Sequence, residues 1–186
     1  AGWEVGRANR IRGGATGAMQ RGPGLGLFQP PPPARYLAVG MAEGHAALFA
    51  CGLATQGLKP FLTIYSTFMQ RAYDMIIHDI ALQNLNVALC MDRAGLSSDD
   101  GPTHHGLFDI GYLRHIPNIV HMQPKDEDEF VDMLWTMANY NSGPIAIRYP
   151  RGAGTGAKLK ATPKLLEIGK SEVLQHGKDV AIFGPG

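Results

Sequence analysis

The chain has 186 residues, 45% hydrophobic and 18% charged, enough for one α/β domain with a buried core and ordinary for a globular protein. Its 17 Lys and Arg stand against 16 Asp and Glu and are scattered among apolar and Gly-rich stretches, which argues against a basic nucleic-acid-binding face. Only two cysteines occur, Cys51 and Cys90, both in apolar runs, and no apolar run reaches the length of a membrane span. A disulfide scaffold and a membrane anchor are therefore disfavoured, and a soluble cytoplasmic domain is expected.

Residues 1–34 hold Gly13-Gly14, Gly22-Pro23-Gly24 and the run Pro30 to Pro33 with few apolar positions, which reads as a linker or extended arm. From residue 35 to residue 152 strand and helix patterns alternate. Tyr36 to Val39 is a short strand. Met41 to Gln56 follows as a helix stopped by Gly57, and Phe61 to Tyr65 as a strand. Ser66 or Thr67 is the expected N-cap of a helix running to about Asn84. Asn86 to Met91 is a continuous apolar run, as in a strand buried on both faces. Ser97 to Gly106 is a polar loop, Ile119 to Met122 a strand, and Lys125 to Tyr140 a helix whose acidic first turn complements the dipole. Ile145 to Tyr149 is a further strand. Residues 153–186 read as a linker, with Val180 to Phe183 as the first strand of another, truncated domain. The Gly-rich run 152–158 lacks the P-loop spacing. This alternation predicts an α/β fold of three layers, a mostly parallel sheet flanked by helices.

Ligands in such folds bind beyond the carboxyl ends of the strands, and four segments there are polar. Glu43 opens a largely apolar helix. It is either a carboxylate satisfied by the helix dipole or a buried one, its pKa raised, that shares a proton with a nitrogenous ring. Tyr65 and Phe68 flank a strand-to-helix turn, as core or as an aromatic platform. Arg93, after a buried strand, either pairs with Asp92 or meets an anion. Arg148 and Arg151 repeat the arrangement, and two such arginines are able to clamp one phosphate. His104 and His105, after Asp99-Asp100, are solvated loop histidines or proton carriers. No H-E-x-x-H, C-x-x-C or G-x-S-x-G occurs, which disfavours a zinc site or a serine nucleophile.

Taken in order, these segments resemble one family. Arg35-Tyr36 with Val39 to Ala46, the run Tyr65 to Asp74, Asp92-Arg93-Ala94-Gly95, Asp100 to Gly106, and Arg148 to Gly152 are similar to the central pyrimidine-binding domain of 1-deoxy-D-xylulose-5-phosphate synthases, which are transketolase-like enzymes. The likeness is strong over residues 35–152 and weak over 15–34.

The resemblance implies a thiamine-diphosphate-dependent transferase joining pyruvate and D-glyceraldehyde 3-phosphate. Glu43 contacts N1′ of the aminopyrimidine and drives its imino tautomer, and Phe68 stacks on that ring. Arg71 belongs to the cofactor side as well. Tyr65, Arg71, Asp100 and His104 line the substrate side, with Asp100 and His104 in the catalytic set, and Arg93 and Arg151 hold the substrate phosphate. Magnesium and the diphosphate are expected on a preceding domain that bears a G-D-G…N motif, which this chain lacks, and a homodimer is expected of the longer enzyme. The isolated chain is then inactive. A partner subunit of a split enzyme and a non-catalytic binding module are the alternatives. Gly44 and Ala38 depart from the family, which usually has Gln and Asp there, and residues 1–14 are unlike the first strand expected before Ala18-Met19.

Overall fold

A computed structural model describes residues 12–16, 36–97 and 99–184. Six strands form one sheet in the order β2-β1-β3-β4-β6-β5, every pairing parallel: β1 (Arg12–Thr16), β2 (Tyr36–Ala38), β3 (Lys59–Tyr65), β4 (Ala88–Asp92), β5 (Val120–Met122) and β6 (Ile145–Arg148). The strand order reverses between β1 and β3, and the crevice of such a sheet lies beyond that switch point.

The central strands are buried on both faces, and their side chains alternate between two cores. On β4, Leu89 and Met91 pack on one face with Ala46, Ala47 and Ala50 of α1 (Glu43–Thr55) and with Met69, Ile76 and Ile80 of the helical run after β3. Ala88 and Cys90 face the other way, joining Ile145 and Ile147 of β6 against Leu134 and Met137 of α4 (Glu127–Asn139). Burial lifts the Cys90 thiol to about 12, so it behaves as a small apolar group.

Several expectations need correction. Residues 1–34 are not linker throughout: Arg12–Thr16 is a strand with β2 on one side and five paired residues of β3 on the other. Its Gly-rich sequence carries no strand signal, and backbone pairing to two neighbours supplies the conformation instead. The rest of 1–34 lies outside the described residues. The expected helix from Ser66 is broken into α2 (Ser66–Met69), a 3₁₀ turn Gln70–Ala72, α3 (Tyr73–Met75) and a π turn Ile76–Ala81. Neither Ser66 nor Thr67 caps it: the capping position falls at extended Tyr65, and the buried Ser66 hydroxyl has no hydrogen-bond partner among the described residues. Val180 to Phe183 forms no strand, because Val180, Ile182 and Phe183 stand exposed with no neighbouring strand among the described residues.

The expected helix after Lys125 begins at Glu127, with Asp126 as its N-cap accepting the Glu129 N–H at 2.8 Å. Its acidic face holds the segment that follows β6. Glu127 accepts from the Thr155 hydroxyl at 2.7 Å and the Gly156 amide at 2.8 Å. Buried Asp132 accepts from Lys160 Nζ at 2.7 Å and the Lys164 amide at 2.9 Å.

Candidate functional site

The site starts where β2 turns into α1. Gly40, at φ 76°, lets the chain reverse, and α1 then opens on Glu43, whose side chain is only 7% exposed. Its Oε1 accepts from Arg71 NH1 at 2.9 Å. Arg71 lies in the 3₁₀ turn, and its guanidinium carbon is 4.7 Å from the centre of the Phe68 ring. A planar N–H donor is thus hydrogen-bonded to a buried carboxylate while lying against an aromatic ring. Gly44 is small where Met75 approaches: a Cβ there would meet the Met75 methyl at 3.2 Å.

Tyr65 ends β3, with its ring nearly parallel to Phe68 at 5.9 Å between centres. His104 stands edge-on to both, 5.1 Å from Phe68 and 6.4 Å from Tyr65. Burial raises the Tyr65 phenol, and Arg93 opposes this.

Arg93 follows β4 with a left-handed backbone, φ 58°. Non-glycine residues seldom adopt it, and the strain is offset here by the Asp92 carboxylate, which accepts the Arg93 amide at 2.6 Å and its NH1 at 2.8 Å. Burial raises the Asp92 carboxyl, countered by the Arg93 charge. The conformation lays the guanidinium 3.8 Å from the centre of the Tyr65 ring, with Nε donating to Asp100 Oδ2 at 3.1 Å. The other oxygen of Asp100 meets Arg151 NH1 at 2.5 Å. Hydrogen bonding from Arg151, then from Ser97 and Arg93, lowers the Asp100 carboxyl.

The eight residues to which the family resemblance gives roles fall into one run of contacts, from Glu43 through Arg71, Phe68, Tyr65, His104 and Arg93 to Asp100 and Arg151. The two arginines meet through Asp100, and Arg93 also pairs with Asp92, as one of its two readings expects. Arg148 is different: buried, it donates to Asp109 at 2.7 and 3.2 Å, to the Gly106 carbonyl at 3.1 Å and to Gln123, and is used up in holding the loop.

Sequence reasoning missed what shapes the loop bearing Asp100 and His104. Gly95 and Gly106 exchange two backbone bonds of 2.8 Å, closing its ends. A Cβ on Gly106 would meet the Arg93 carbonyl at 2.5 Å and the Ser66 hydroxyl at 2.6 Å, so only glycine fits. The sole signal was the position of Gly106 directly after the two histidines.

Residues 5–155 match the family described as transketolase, pyrimidine binding domain, and the chain belongs to that family. It is 61% identical over 171 residues to a 1-deoxy-D-xylulose-5-phosphate synthase of Methylacidiphilum infernorum and 62% identical over 171 residues to that of Acidobacterium capsulatum. Each match takes in 92% of this chain and 27% of the relative, so the chain spans about a quarter of the length of these relatives. Among solved structures, a split-gene transketolase described as an inactive β4 tetramer superposes with TM-score 0.68 at 27% identity, over 78% of this chain and 46% of the other. The parallel sheet flanked by helices is the fold of that neighbour. No helix among the described residues is long and apolar enough to cross a membrane.

Proposed function

We propose that this chain is the pyrimidine-binding part of a thiamine-diphosphate-dependent 1-deoxy-D-xylulose-5-phosphate synthase, which condenses pyruvate with D-glyceraldehyde 3-phosphate and releases carbon dioxide. One observation carries the reading: a planar cationic N–H donor, the Arg71 guanidinium, bridges the buried Glu43 carboxylate and the Phe68 ring. An aminopyrimidine offers the same chemistry, a flat ring with a protonatable nitrogen, so the donor set fits it. The cofactor, when bound, supplies the carbanion-stabilising chemistry. The chain's residues do the rest. Glu43 holds a proton at its carboxylate against the ring nitrogen. Phe68 supplies the stacking face, and Arg71 yields its place over Phe68 while keeping its charge near the site. Arg93 and Arg151 take the substrate phosphate between them, with Asp100 giving way, and Tyr65 and His104 line the space beside it.

Magnesium and the diphosphate are assigned to another domain of a longer protein, which we propose to be a cytoplasmic homodimer. Alone, this chain makes no product. The likeness to a split-gene transketolase supports a second reading, in which the remaining half-site arrives on a separate subunit.

Glu43→Gln in the full-length protein tests the assignment. The change is isosteric and leaves folding intact, and loss of the proton bridge lowers turnover by roughly 10²–10⁴-fold. Near-normal turnover would return Glu43 to the role of a carboxylate satisfied by Arg71 and the helix N-terminus.

A further inference from the structure

We infer that His105 is a positioning residue: its imidazole latches the Ser97 backbone, and through the Ser97 hydroxyl it holds Asp100 between Arg93 and Arg151. The inference rests on the proposed phosphate-binding role only for its kinetic consequence.

The contacts form a short relay. The Ser97 N–H donates to His105 Nδ1 at 2.9 Å across the loop. Ser97 is buried, so this imidazole nitrogen satisfies an amide that water does not reach. The Ser97 hydroxyl in turn donates to Asp100 Oδ2 at 3.1 Å, the oxygen that also accepts from Arg93 Nε. Asp100 Oδ1 faces Arg151. One carboxylate thus sets the spacing of two guanidinium groups, and one backbone amide sets the carboxylate. The bond from Ser97 requires a bare Nδ1, hence a neutral ring carrying its proton on Nε2. His104, the adjacent residue, has its ring in the aromatic cluster, so the paired histidines divide the work: one faces the site, the other fastens the loop.

Three variants separate this from mere loop packing. Asn carries its acceptor oxygen as many bonds from the backbone as Nδ1, whereas Gln carries it one bond further, at the reach of Nε2. In this chain, NMR solvent exchange of the Ser97 amide and of the Arg93 Nε–H reads the two links directly. His105→Gln is expected to speed both by roughly tenfold, as loss of a hydrogen bond does, and His105→Asn to restore them. Ser97→Ala is expected to leave the amide at position 97 slow while freeing the Arg93 Nε–H. Unchanged exchange of the Ser97 amide in His105→Gln would overturn the latch, and an unchanged Arg93 Nε–H in both His105→Gln and Ser97→Ala would overturn the positioning of Asp100. In the full-length protein, His105→Gln is expected to raise KM for glyceraldehyde 3-phosphate more than for unphosphorylated glyceraldehyde, with kcat changed less. Equal changes for the two acceptors, with the exchange effects present, would leave the latch standing and refute the phosphate role of the arginines.

Discussion

Arg148 and Arg151 stand three residues apart at the end of the same strand, and the fold uses them in opposite ways. Arg148 is buried and engaged at every nitrogen: Asp109 takes two of its N–H groups, and Gly106 and Gln123 take others. Arg151 is 40% exposed and meets Asp100, which it shares with Arg93. A guanidinium enclosed by fixed acceptors is a structural rivet. One that shares a partly exposed carboxylate with a second guanidinium is, under the proposed function, the one that exchanges it for an incoming anion. An arginine after a buried strand is therefore ambiguous in sequence, and the local acceptor count decides its role.

The sharpest way to break the comparison is to remove each arginine. Arg148→Ala leaves Asp109 buried without its counter-charge, an expected loss of about 3–5 kcal/mol in denaturant unfolding. Arg148→Met combined with Asp109→Leu is expected to restore most of it, because two apolar groups leave no unpaired charge. A single variant as stable as the parent would show that Arg148 is no rivet. Arg151→Ala is expected to unfold much nearer the parent, and Arg93→Ala to fall between it and Arg148→Ala, because it takes the counter-charge from buried Asp92. In the full-length protein each is expected to raise KM for glyceraldehyde 3-phosphate roughly tenfold or more while leaving pyruvate much less affected. Arg→Lys recovers part, since a point charge does not reproduce the planar fork. Equal losses with an unphosphorylated acceptor would rule out the phosphate clamp.

Strands β3, β4 and β6 were legible because each centres on a mostly apolar run of strand length, and β4 on a continuous one, the mark of burial on both faces. β1 was not, because Arg12-Gly13-Gly14-Ala15-Thr16 owes its place to backbone pairing with two neighbours and not to side-chain pattern. The breaks between Ser66 and Ala81 were hidden for a related reason: no Gly or Pro interrupts that stretch. Seven of the eight residues with proposed roles stand in segments that the crevice rule points to, and Arg71 was reached only through the family resemblance. Ser97 escaped notice, and His105 stood out only as a solvated loop histidine or a proton carrier. Their bond joins a backbone amide to one ring nitrogen across the loop, and neither residue type announces that pairing.

The smallest expected effect concerns Asp100, the carboxylate that Arg93 and Arg151 share. Its carboxyl is held below the usual carboxylate range, first by Arg151 and then by Ser97 and Arg93. A carboxyl with a lower pKa folded than unfolded contributes stability that is fully present above its unfolded value, near pH 3.9. That contribution is lost as the pH falls through the lower folded value, where both states bind the proton. Asp100→Asn is therefore expected to lower stability slightly at neutral pH and to converge with the parent at the acid end. Urea unfolding of the two chains, stepped downward from pH 6, checks this. Asp109 gives the contrast, because its partner Arg148 is enclosed on every side, whereas water and added salt reach the Asp100–Arg151 pair. Added salt should accordingly shrink the difference between Asp100→Asn and the parent and leave the cost of Arg148→Ala nearly unchanged. A difference at Asp100 that persists in high salt would mean that the carboxylate is held as rigidly as Asp109 and is not available for exchange with a phosphate, and one that widens as the pH falls would mean that its carboxyl is not held low.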